Sequence, residues 1–127
     1  YEILTCDWSS DVCSSDLLTT ATLGAGTTAY TSSGEVSGPG YSAGGIAVTN
    51  ATPPTSSGTT AYWTPSASLV YTGVTLTTAF DTVLIYNQTQ GNKSVSVHTF
   101  GSQTITAGTF TLTMPANTNT TALIRLA

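Results

Sequence analysis

Charge is what this chain has least of. Its 127 residues hold two Lys or Arg and six Asp or Glu, with a single histidine and two cysteines. Two cations supply no basic stripe to neutralise phosphates, which excludes the electrostatic mode of nucleic-acid binding. The lone histidine, His98, falls short of the three or four ligands a zinc site needs and is expected to be an ordinary strand residue. No apolar run approaches the length of a helical membrane span. There is no Gly-x-Ser-x-Gly elbow to present a nucleophile. Gly34, Gly38 and Gly40 open no helix and so form no phosphate cradle. Apolar spacing of helical period is missing over any useful length. Neither a metal nor a cofactor is expected.

The scarce residues are unevenly placed. Four of the six acids and both cysteines, Cys6 and Cys13, lie between Tyr1 and Leu17. The run Asp7-Trp8-Ser9-Ser10-Asp11-Val12-Cys13-Ser14-Ser15-Asp16-Leu17 matches, at all eleven positions, one reading frame of a common short-read sequencing adapter. Tyr1-Glu2-Ile3 is similar to the same frame of the flanking adapter, and Leu4 to Cys6 would span the sample index. Residues 1–17 thus resemble a translated adapter. The resemblance implies that they are an artefact that contributes nothing to the fold, and that 18–127 form one domain lacking its native N-terminal strand. Without them Glu35 and Asp81 stand against Lys93 and Arg125, and the net charge moves from −4 to zero. The acidic pI of about 4.2 then describes the adapter alone.

What fills residues 18–127 is threonine, 27 of the 110 positions. Threonine is stiff at its first side-chain torsion and fits a pleated sheet. With Val, Ile and aromatics it argues for an all-β domain rather than disorder. Residues 18–45, punctuated by Gly34, Gly38, Pro39, Gly40, Gly44 and Gly45, are expected to form a long ordered loop. Short strands are expected at 46–49, 59–64 and 69–76, the second ended by Pro65 and the third interrupted at Gly73. Ser56-Ser57-Gly58 is expected to turn. The clearest signal is Phe80 to Phe100. Phe80–Tyr86 is apolar on both faces, as a central strand is. Asn87–Asn92 turns, and Lys93–Phe100 alternates with Val95 and Val97 on one face, which predicts a β-hairpin. Phe110, Leu112 and Met114 alternate with Thr109, Thr111 and Thr113 in a half-buried strand. Thr121–Leu126 closes the chain with Ala122, Ile124 and Leu126 on one face. Six to seven short strands with regularly spaced turns predict a single antiparallel β-sandwich or jelly roll.

A glycosidase needs two carboxylates flanking one bond. Glu35 and Asp81 satisfy the number, but nothing around either tunes it for acid–base work, and no enzyme is expected. Glu35 is expected to fix its Gly-rich loop through backbone amides. Asp81 is expected to accept backbone hydrogen bonds or to pair with Arg125 or Lys93. Tyr62 and Trp63 are neighbours in a strand, so only one of them faces the core; either could stack on a sugar.

Three stretches carry a family resemblance: Thr28 to Gly45, Val83-Leu84-Ile85-Tyr86-Asn87, and Gly108 to Pro115 with Ala122 to Ala127. Together they resemble a family of small tailed-phage virion structural proteins, over nearly all of residues 18–127. The resemblance implies a virion component, a decoration protein or another minor head or tail part. The expected partners are other virion proteins and further copies of the chain, as a homo-oligomer, and the sparse charge and short apolar runs predict no nucleic acid and no membrane as partners. Glu35, Tyr41, Tyr62 and Trp63 are the candidate partner-contact residues. The competing expectation is a carbohydrate-binding or adhesin-like module of a secreted bacterial protein. Exposed aromatics in a groove would favour that second reading, and a self-complementary apolar edge the first.

Overall fold

The computed structural model describes residues 13–18, 23–49 and 53–127. Their secondary structure is all β: β1 (Cys13–Leu18), β2 (Ile46–Ala47), β3 (Thr55–Ser57), β4 (Thr60–Trp63), β5 (Leu69–Val74), β6 (Phe80–Asn87), β7 (Lys93–Gln103), β8 (Gly108–Leu112) and β9 (Ile124–Leu126). They form three antiparallel sheets, in the orders β2-β1-β6-β7, β3-β4-β9 and β5-β8. The four-stranded sheet faces the two smaller ones across one core, as in a sandwich.

That core draws Val83, Ile85 and Phe80 from β6, Trp63 from β4, and Leu69, Tyr71 and Val74 from β5, all buried. The ring of Phe80 meets Phe110 and Phe100 edge-on, with centroids 5.0 and 5.7 Å away, a favoured aromatic geometry. The opposite face of β6 is covered too. Leu84 and Tyr86 pack there against Leu23, Tyr30 and Val97. β6 is therefore buried on both faces, as its continuous apolar run predicts.

Four expectations change. First, the segment read as an adapter does not stand wholly outside the fold: Cys13–Leu18 is an inner strand, paired with β6 at six positions and with β2 at two. Backbone ladder bonds require no particular side chain, so a sequence with no strand signature can complete a sheet. Cys13 is buried in the main core and disulfide-bonded. The earlier part of the segment lies outside the described residues. Second, Val95 and Val97 do not share a face. Tyr86 pairs with Ser94 but Ile85 with Ser96, so Val95 is an extra residue, a bulge, and the alternation flips across it. Val95 then packs on the main core and Val97 on the second cluster.

Third, Thr55–Ser57 is a strand paired to β4, and the turn falls at Gly58 and Thr59. A fully exposed three-residue strand carries no apolar alternation to announce it. Fourth, the last strand is shorter than expected. Thr118 to Thr121 form a turn, with the Ala122 amide donating to the Thr118 carbonyl at 3.0 Å. Ala122 is buried, but Leu126 is an exposed apolar residue at the chain's end.

Candidate functional site

The loop from Thr31 to Gly45 has no sheet of its own, and Glu35 ties its two ends together. That carboxylate accepts from the Tyr30 hydroxyl at 2.8 Å, the Tyr41 hydroxyl at 3.0 Å and the Gly44 amide at 2.5 Å. Charge-assisted bonds of this kind are among the stronger ones in proteins. Three points spread over fifteen residues are thus drawn to one side chain. The expectation that Glu35 fixes its loop through a backbone amide is met at Gly44, and the two phenols extend it.

The knot is anchored to the sheet through β6. The Tyr86 hydroxyl donates to the Gly44 carbonyl at 2.8 Å, and the Tyr30 and Tyr86 rings stack with centroids 4.7 Å apart. Tyr41 stacks in turn on Tyr71 of β5, at 6.1 Å. Between these anchors the loop lies backbone to backbone on the segment after β5. The Thr75 amide donates to the Pro39 carbonyl and the Thr77 amide to the Ser37 carbonyl, both at 2.9 Å. A side chain at Gly38 or Gly40 would collide with the carbonyls of Thr75 and Gly73, and both glycines hold positive φ, +147° and +81°. Glycine is therefore required here for close approach as well as for conformation.

The second feature is the outer edge of β7. Its first residues are covered: Ala29 bridges to Lys93, the Ser94 amide donates to the Thr28 carbonyl at 3.0 Å, and the Ser94 hydroxyl to the Thr27 carbonyl at 2.5 Å. From Val95 to Gln103 no strand among the described residues pairs with that edge. A groove of about 430 Å³ runs there between the Gly24–Thr27 turn and Ser94–Thr99. His98 lies along this strand, with its Nε2 2.9 Å from the Ser96 hydroxyl. Burial pushes the His98 pKa down.

The four candidate contact residues do not converge. Glu35 and Tyr41 share the knot. Tyr62 is half-buried on β4, in another sheet. Trp63 is 0 % exposed, which removes it from any contact surface: in adjacent strand positions one side chain must face the core, and the larger apolar one does. Nor do the two carboxylates meet. Asp81 is the second residue of β6 and accepts from the Thr82 hydroxyl at 3.0 Å, whereas the Glu35 knot grips the far end of that strand through Tyr86. Among the described residues no three His, Cys, Asp or Glu side chains cluster as metal ligands. The tyrosine partners of Glu35 leave no trace in the sequence, because they join residues whose spacing follows neither strand nor helix period.

Comparison with known proteins adds nothing to this geometry: no family model, no curated protein and no solved structure matches the chain.

Proposed function

We propose that residues 18–127 are the native part of a non-enzymatic virion structural protein of a tailed phage, a decoration protein or another minor head or tail component. It works by protein–protein contact, and its place is the virion. The observation that carries this reading is the Thr31–Gly45 loop, a surface segment held in one conformation by Glu35, Tyr30, Tyr41 and Tyr86. A pre-ordered loop binds a partner without first paying the entropy of ordering. Ser32, Ser33, Pro39, Ser42 and Ala43 are exposed along it, uncharged and small, suited to close contact with another folded surface. The unpaired length of β7 offers a second place of contact, by strand addition. Repetition of the subunit through such edges suits a shell or tube built of identical parts.

The competing carbohydrate-binding reading calls for exposed aromatic rings, and every described aromatic is buried or half-buried. The test is mass spectrometry of purified particles from a phage that carries the intact gene. The product is expected at many copies per particle. Its absence from the particle, together with binding on a glycan array, would establish the carbohydrate-binding module instead.

A further inference from the structure

β7 is the longest described strand and lies at the rim of its sheet. Rim strands are ordinarily short, or guarded by lysine, proline or an inward-pointing charge, because their free amides and carbonyls template further pairing. From Ser94 to Gln103 the strand holds no Lys, Arg, Asp, Glu or Pro. The bare edge has two unlike halves. Residues 94–99 line one side of the 430 Å³ groove, and Gly24, Ala25 and Thr27 line the other. Beyond the groove Gly101, Ser102 and Gln103 stand exposed. Register shifts against β6 fall at Val95 and after Thr99, which leaves Ser96–Thr99 as the regular stretch between the halves.

Antiparallel pairing of two such edges about a two-fold axis reverses one strand on the other. With the axis at Thr99, the exposed half of each copy enters the groove of the other, and both grooves fill at once. The groove wall is made of small side chains, and the entering half begins with Gly101 and Ser102, so the two fit closely. Neither half carries a formal charge that would repel its copy at closest approach. A strand of another protein would fill the groove and leave the exposed half without one.

We propose that the bare edge of β7 is the interface of a symmetric dimer, in which a second copy of this chain adds its own β7 antiparallel across a two-fold axis at Thr99. The inference rests on the reading of β7 as a contact edge and names the partner of that edge. One edge pair buries less than a standard interface, so the association is weak and reversible.

The test is sedimentation equilibrium of the full chain over a range of micromolar concentrations. The parent should pass from monomer to dimer and stop there, because a two-fold interface is closed. Thr99 is exposed, so replacing it spares the core. Thr99→Lys and Thr99→Asp each set like charges face to face and should weaken the dimer at least about tenfold. Mixed in equal amounts, the two variants should associate again, because opposite charges then meet across the axis. Thr109→Lys, at an exposed position of β8, is the control and should dimerise as the parent does. A parent that stays monomeric overturns the proposal, as do Thr99 variants that associate like the parent, or a mixture that stays monomeric. The purified chain is measured without particles, so the two readings fail separately. A dimer formed by a protein absent from virions keeps this inference and removes the virion reading; a monomer abundant in virions does the opposite.

Discussion

The hydroxyl of Tyr86 donates to the carbonyl of Gly44 at 2.8 Å, joining an inner strand to a loop 42 residues earlier in the chain. It is a bond between the Glu35 knot and β6 that the loss of a single atom removes. Tyr86→Phe keeps the ring and its stacking on Tyr30 and deletes that donor, together with the hydroxyl oxygen that accepts from Gln88 Nε2 at 3.4 Å. The expected loss is about 1 kcal/mol, up to about 3 if the Gly44 carbonyl is left dry. Urea denaturation checks it, and an unchanged midpoint would show that the bond is worth nothing.

Glu35→Ala removes the common acceptor of Tyr30, Tyr41 and Gly44. About 2–3 kcal/mol is expected, since bonds to a charged group exceed neutral ones. The more telling measurement is local. Limited proteolysis should cut within residues 31–45 in the variant and spare them in the parent, with β6 protected in both. Cleavage at equal rates would mean that something other than Glu35 orders the loop.

Gly38→Ala tests the docking of that loop. The added Cβ meets the Thr75 carbonyl at a backbone angle only glycine adopts with ease. A cost of about 1–3 kcal/mol is expected from strain, with more if the loop lifts. The same substitution at Gly101, where the new atom meets nothing within 4 Å, is the matched control and should be nearly neutral.

Ile85→Ala removes a fully buried side chain from the main core and should cost roughly 2–5 kcal/mol, with the denaturant slope unchanged. For a domain whose whole stability is about 5–15 kcal/mol, that is a large share. A midpoint equal to that of the parent would refute the register of β6.

His98 gives a dependence on pH. Burial holds its folded pKa below the usual 6.5, so the unfolded chain takes up a proton at a higher pH than the folded one does. Its contribution is fully present above about pH 6.5 and is lost as pH falls through the lowered folded value. The parent should therefore lose stability between pH 6.5 and the folded pKa by more than His98→Gln does. Parallel curves for the two proteins would show that another group is responsible.

Composition and period alone determined the β class, the β6–β7 hairpin and the alternation of β8, because each rests on residues adjacent in the chain. The apolar run Val83-Leu84-Ile85 announces a strand covered on both faces whatever lies on them. Single residues in a strand could be assigned only up to a parity, and a bulge reverses parity: the extra residue at Val95 separated two valines that alternation had placed together. The tertiary structure alone decided which of Tyr62 and Trp63 entered the core, and that Cys13–Leu18 lies between β2 and β6. It alone gathered Tyr30, Glu35, Tyr41, Gly44 and Tyr86 into one knot. Tyr86 comes 42 residues after Gly44, and the hydrogen bonds that join the five depend on distances that only folding sets.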